Sequence, residues 1–171
     1  MDGAFLNKAG DILLEIHRAI HETKYKRKMD TLTPYFDNIE TRREILLNNI
    51  YGLDLNEESV EITKLSLFLK VCKKGLKLPN LDKNIKCGNS LIDNSDFTDN
   101  AFNWKKEFEI IFNDGGFDIV VGNPPYVNSR ALNENMPEER AYITKSNTFK
   151  YLYQKWDLYL PFIEKGLQIL K

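Results

Sequence analysis

Cysteine is scarce in this sequence, and neither sign of charge is in surplus. The two cysteines of the 171 residues, Cys72 and Cys87, have no paired spacing, which excludes a zinc knuckle or a disulfide framework. Both read as buried, reduced thiols. The formal net charge of -1 excludes the broad basic face that phosphate-binding proteins usually carry, so any contact with nucleic acid has to come from a local patch or from further sequence. No run of about 18 apolar residues is present to span a bilayer. Met1-Asp2-Gly3-Ala4 has neither a basic n-region nor a small-residue cleavage site. The expected protein is soluble and cytoplasmic, with no membrane partner, no internal repeat and no low-complexity segment.

What is there is core material. At 42% hydrophobic and 12% aromatic residues, the chain can build one domain-sized core. Phe5, Leu6, Ile12, Leu13, Ile16 and Ile20 recur at helical spacing over residues 3–22. Thr33-Pro34 breaks the periodicity, and a short helix is expected from Thr41 to Asn48. Ile50 to Asp54 reads as a strand ending in a carboxylate. Asn56 then looks like an N-cap, with Glu57 and Glu58 in the first helical turn. That helix carries Val60, Ile62, Leu65, Leu67, Phe68, Leu69 and Val71, enough apolar surface to be well buried, and Gly75 is a plausible stop.

Asn84 to Cys87 is a second short strand, leading into Gly88-Asn89-Ser90. Phe117 to Val121 is a third, apolar enough to be covered on both faces, and Asp114-Gly115-Gly116 supplies the turn before it. Residues 127–150 read as a polar, mobile loop with some helix. A final amphipathic helix over about 156–170 presents Leu160, Ile163, Leu167 and Leu170, with Asp157 as its cap and Pro161 in the first turn. Strands alternating with helices predict an α/β fold with a parallel sheet, and ligands in such sheets bind beyond the carboxyl ends of the strands. The three expected strand ends carry Asp54, Asn89 and Asn123.

The last of these, Gly122-Asn123-Pro124-Pro125-Tyr126, is the segment richest in chemistry. An exocyclic amine conjugated to a purine ring is a poor nucleophile. Two acceptors, the Asn123 side-chain oxygen and the Pro124 carbonyl, would draw its N–H groups toward tetrahedral geometry and free the lone pair for attack. Consecutive prolines fix the direction of that carbonyl, and Tyr126 would stack on a base flipped out of a duplex. Asp54 is suited to accept hydrogen bonds from ribose hydroxyls, or else is an ordinary helix start. Asn89 would pair with an adenine edge, or is a turn residue.

These motifs resemble the catalytic domain of DNA adenine-N6 methyltransferases of the type IIG restriction-modification kind. Gly3-Ala4-Phe5-Leu6 is similar to the tail of that family's glycine-rich cofactor loop, and Tyr51-Gly52-Leu53-Asp54 to its ribose-binding strand. Cys87-Gly88-Asn89-Ser90-Leu91 resembles the adenine-pocket turn, Phe117 to Val127 the catalytic strand and loop, and Asp157-Leu158-Tyr159 with residues 162–170 the helix after it. The resemblance implies a Rossmann-like methyltransferase fold with helices on both faces of a parallel sheet. It implies S-adenosyl-L-methionine as cofactor, held by Gly3, Phe5, Asp54, Leu55, Asn89 and Ser90, and DNA as partner, with Asn123, Pro124, Pro125 and Tyr126 catalytic. The family's loop reads Asp-Pro-Ala-Cys-Gly-Ser-Gly before Ala-Phe-Leu, whereas here Met1-Asp2-Gly3 stands first. Residues 1–171 are therefore expected to be part of a methyltransferase domain, lacking its first strand, its C-terminal strands and the target-recognition domain, and inactive alone.

Other features have two readings each. His17 and His21 share a helix face, but no third ligand accompanies them, so no metal is expected. The Lys24–Lys28 cluster is a solvated face or a phosphate contact. Tyr151, Tyr153, Trp156 and Tyr159 are packing residues or line a base channel. Protein-glutamine and RNA N-methyltransferases also use Asn-Pro-Pro-Tyr, although the polar stretch before Asp157-Leu158-Tyr159 favours the DNA enzymes. A noncatalytic remnant of a methyltransferase gene is the alternative of another class.

Overall fold

A computed structural model describes residues 4–25, 39–72 and 79–171. Gly3 and Gly75 lie outside the described residues, as do the side chains of His21 and of the Lys24–Lys28 cluster. The elements in order are α1 (Ala4–Tyr25), α2 (Ile39–Asn49), β1 (Gly52–Asp54), α3 (Glu57–Lys70) and β2 (Ile85–Cys87). Then come α4 (Trp104–Glu107), α5 (Glu109–Asn113), α6 (Ser129–Asn135), α7 (Pro137–Lys145) and α8 (Tyr159–Ile169). The chain forms two compact units, Met1–Cys87 and Gly88–Lys171.

The first unit is a β-α-β arrangement with helices packed on it. β1 and β2 run parallel, Gly52 opposite Ile85, Leu53 opposite Lys86 and Asp54 opposite Cys87. The crossover between them is α3, whose start is fixed as expected: the Asn56 side chain accepts a hydrogen bond from Ser59 N at 2.8 Å, with Glu57 and Glu58 in the first turn. Leu46, Ile50, Val60, Leu67, Val71, Leu81 and Ile85 form the core, with Leu6, Ala9 and Leu13 of α1 packed against it. Buried Asn84 donates to the carbonyls of Leu47 and Ile50 at 2.8 and 3.0 Å. Those carbonyls lie at the end of α2, where the helix offers no further N–H partners, so one amide closes the helix and leads directly into β2.

Two helices bury less than their composition suggests. Along α3, Val60, Thr63 and Leu67 are buried, while Ile62, Leu65 and Leu69 stand exposed on the other side. Along α1, Leu6 and Leu13 face the core while Phe5, Ile12, Ile16 and Ile20 face outward. Each helix therefore carries a second apolar stripe that the described residues do not cover.

The second unit is held by Leu91, Ile92, Leu132, Ile143, Phe149, Trp156 and Leu158. Beside them runs a chain of ring contacts joining Phe102, Trp104, Phe108, Phe112 and Phe117, with centroids 5.3 to 6.1 Å apart. Trp104 adds a hydrogen bond from its indole N–H to the Ser90 carbonyl at 3.0 Å. Gly88 is needed where this cluster meets the turn after β2, because a Cβ there would sit 2.8 Å from the Phe102 ring.

Several expectations are corrected. Phe117 to Val121 is not a strand: Phe117 makes one parallel bridge to Leu170, and residues 118–121 have no ladder. An apolar run becomes a strand only where a neighbour offers N–H and C=O groups in register. Ile119 and Val121 are accordingly 73% and 63% exposed. The preceding turn is as expected, with Gly115 and Gly116 at φ +101° and +126°. Residues 127–150 hold the expected helix, but more of it than a loop with some helix: α6 and α7 fill residues 129–145, started by Asn128, which accepts from Ala131 N, and by Pro137 in the first turn. In α8 the buried face is Pro161, Glu164 and Ile169, while Ile163 and Leu167 are exposed. Asp157 does not cap α8; its carboxylate accepts from Ser129 N at 2.7 Å. Cys72 and Cys87 are free thiols as read, but exposed rather than buried.

Candidate active site

Asp54 stands at the carboxyl end of β1, half-buried, with one carboxylate oxygen accepting from Asn56 N at 2.9 Å. The residue is thus fastened into the strand-to-helix turn. Leu55, beside it, is 57% exposed, and its carbonyl accepts from the Cys87 thiol at 3.4 Å. Partial desolvation, then the negative charges of Glu57 and Asp54, hold that thiol above the ordinary cysteine range. The end of the β1–β2 pair is therefore an electronegative rim, suited to hydroxyl and ammonium donors and poorly suited to phosphate. Phe5, on α1, is about half exposed.

Two residues beyond β2, Asn89 stands at the start of the second unit, just after Gly88. Its side-chain oxygen accepts from Leu91 N at 3.0 Å, the local bond typical of an Asx turn. Its backbone bridges Ala101. The amide NH2 is the part of Asn89 left to pair with anything else. Ser90 is half-buried and contributes its carbonyl to Trp104.

Asn123 to Tyr126 has another character. Asn123 and Pro125 are exposed, Pro124 is half-buried, and Tyr126 is 87% exposed. Both prolyl peptide bonds are trans. The segment closes on itself through Val127 N, which donates to the Pro125 carbonyl at 3.0 Å. Val127 packs into the core and its carbonyl accepts from Leu158 N at 2.9 Å. Among the described residues, none donates to the Asn123 side chain or to the Pro124 carbonyl. Asn123 and the Tyr126 ring are thus exposed, on either side of a Pro124 carbonyl that receives no hydrogen bond from the described residues, and the backbone is anchored immediately after them.

The four aromatic residues near α8 separate cleanly. Trp156 is almost fully buried and Tyr159 half-buried, whereas Tyr151 and Tyr153 are 79% and 78% exposed. Sequence reasoning missed what holds this stretch: buried Glu164, and Arg140, whose guanidinium lies over the Trp156 ring at 5.2 Å from its centroid. Nothing in the periodicity of α8 marks Glu164 as inward-facing.

Residues 48–171 match the sequence pattern of the Eco57I restriction-modification methylase family. The chain belongs to that family. It is 33% identical, over 189 aligned residues covering 99% of its length, to the type II restriction enzyme and methyltransferase RM.Eco57I of Escherichia coli. It is 35% identical over 99 residues to the putative type II restriction enzyme and methyltransferase RM.MjaORFECS2P of Methanocaldococcus jannaschii. A third relative is the type II methyltransferase M.PaeR7I of Pseudomonas aeruginosa, at 40% identity over 57 residues. The chain spans 18%, 8% and 9% of these relatives, and they match 99%, 53% and 33% of it. In this methylase family member, Asp54, Asn89 and Asn123 to Tyr126 all fall within the matched residues, while Phe5 falls before them.

Proposed function

We propose that this chain supplies part of the catalytic domain of an S-adenosyl-L-methionine-dependent DNA adenine-N6 methyltransferase acting in a restriction-modification system. The observation that carries the reading is exposed Asn123, followed by the Pro124 carbonyl that no described residue occupies, beside exposed Tyr126. The Asn123 oxygen and the Pro124 carbonyl each accept one N–H of the target amine, concentrating its lone pair on nitrogen. Tyr126 stacks on the extruded base, and its exposure suits a ring that must meet a partner from outside.

The residues at the first two strand ends fit the cofactor in kind. The Asp54 carboxylate accepts from ribose hydroxyls on the electronegative rim, and the Asn89 amide NH2, with its oxygen already committed to Leu91 N, donates to an adenine ring nitrogen. Gly3, Phe5, Leu55 and Ser90 are the further residues proposed to hold the cofactor. When bound, the cofactor supplies the electrophilic methyl group. Pro125 holds the turn that aims its neighbours.

The test is mass spectrometry of DNA and RNA nucleosides, and of peptides, from cells expressing a full-length protein that carries this chain. N6-methyladenine is expected in DNA. Methyladenine in RNA alone, methylated glutamine in a released peptide, or N4-methylcytosine in DNA would each replace this reading with another.

A further inference from the structure

We infer that residues 145–155 form a preorganised contact for an unpaired DNA strand, with Tyr151 and Tyr153 stacking on its bases and Lys150 and Lys155 on its phosphates. The inference rests on the reading above only in taking DNA as the polymer.

The stretch reads Lys145-Ser146-Asn147-Thr148-Phe149-Lys150-Tyr151-Leu152-Tyr153-Gln154-Lys155, with three lysines and no carboxylate. Lys145, Lys150 and Lys155 are all exposed. This is the local basic patch that the net charge of the chain does not supply. Phe149 is buried and Leu152 packs against the core, while Lys150, Tyr151 and Tyr153 are exposed, the backbone bending at Lys150 and Tyr151. The two exposed phenol rings thus flank one anchored residue, Leu152. Large aromatic rings left in water beside lysines are the composition of a single-strand platform, since every base offers a face to stack on and every step a phosphate.

The backbone is held as a binding surface must be. Glu164 is the one charged side chain buried among the described residues. Its two carboxylate oxygens accept from Lys150 N and Tyr151 N at 2.6 and 3.2 Å. Burying a carboxylate is costly unless such bonds repay it, and here they are spent on a surface segment. Gln168 donates to the Thr148 carbonyl at 2.7 Å, and Arg140 donates to the Gln154 carbonyl at 2.9 Å. Gln154 itself adopts φ +49°, a left-handed conformation that a non-glycine residue keeps only where its surroundings enforce it. Rings fixed in advance lose little freedom on binding.

The platform is also tied to the candidate active site within the same unit. Leu158 N bonds to the carbonyl of Val127, the residue after Tyr126, and Asp157 bonds to Ser129 N.

The experiment is fluorescence anisotropy of a short labelled single strand titrated with the full chain, without cofactor, in a salt series. A duplex and an RNA strand of the same sequence serve as competitors. Tyr151→Ala with Tyr153→Ala is expected to weaken binding on the order of tenfold or more, while the Tyr→Phe pair, which keeps the rings, stays within about threefold. Lys150→Gln with Lys155→Gln should lower the log–log salt slope by roughly 1.4, two phosphate contacts at about 0.7 each. Melting curves of all variants should coincide, because the substituted side chains are exposed. No binding by the unsubstituted chain, equal binding by the alanine pair, or stronger competition by duplex or RNA than by single-stranded DNA would overturn the inference. Because no methyl transfer is measured, failure here leaves the methylation result standing, and failure there leaves this one.

Discussion

The strand end at Asp54 and the segment at Asn123 put similar polar side chains to opposite uses. Asp54 and, after β2, Asn89 each turn an oxygen back onto their own backbone, to Asn56 N and Leu91 N. Asn123 has no such bond among the described residues, and Tyr126 beside it is nearly bare. A polar group that satisfies itself locally builds a turn whatever else it does. One that does not must find water or a ligand, and it contributes little to stability. Substitution should therefore separate the two regions, with stability falling where the side chain is spent and activity falling where it is offered.

The largest effect lies in neither region but beneath the second. Trp156 is buried at the centre of the second unit's core, packed with Leu132, Ile143 and Phe149 and covered by Arg140. Trp156→Ala should cost about 3–5 kcal/mol, read as a large fall in the denaturant midpoint. A small change would mean that this core is much looser than its contacts indicate.

Asn123→Ala should do the reverse. Loss of one preorganised acceptor costs on the order of a hundredfold in rate, about 2.7 kcal/mol in the barrier, while the melting curve stays put because the side chain is exposed. Single-turnover transfer by a methylation-competent protein carrying this chain gives the rate. If the melting temperature fell with the rate, Asn123 would belong with the self-satisfied group and the contrast would collapse.

Glu164→Ala is expected to cost about 1–3 kcal/mol, since it leaves Lys150 N and Tyr151 N without their acceptor. Glu164→Gln, which keeps one oxygen, should lose less. Thermal melts rank the two variants, and a glutamine variant as stable as the original, with the whole loss confined to alanine, would show that volume rather than the backbone bonds sets the cost.

How far these features were legible in the sequence follows from where their causes lie. The Asn56 cap, the glycine turn before Phe117 and the β1–α3–β2 order are local, written in residue types a few positions apart, and all three are present. The apolar run from Phe117 to Val121 has strand composition, yet a strand also needs a partner, and composition carries no information about one. Glu164 was unreadable for the converse reason: its partners lie 14 and 13 residues upstream, in a segment without periodicity. At the site, the chemical identity of Asn123, Pro124 and Tyr126 was visible in the motif. The split of the tyrosines from Trp156 was not, because exposure depends on which side chains the core selects.

The smallest effect is also the sharpest test, because at Asp54 structure and proposed function share one side chain. Asp54→Asn keeps an oxygen able to accept from Asn56 N, so the turn into α3 should survive with stability within about 0.5 kcal/mol of the original. Asp54→Ala removes that acceptor and should cost about 0.5–1 kcal/mol, the usual worth of such a local bond. Cofactor binding should sort the same variants differently. A ribose offers two hydroxyl donors, and an amide in place of the carboxylate retains one neutral acceptor, so both substitutions should weaken affinity by roughly tenfold, the loss of a charge-assisted bond. Calorimetric titration with S-adenosyl-L-methionine, using a protein that carries this chain and binds the cofactor, beside melts of the same samples, gives both orders. Affinity that tracked stability, intact in the asparagine variant and reduced only in the alanine one, would make Asp54 a helix-start residue alone. The ribose contact would then have to come from another side chain on the rim.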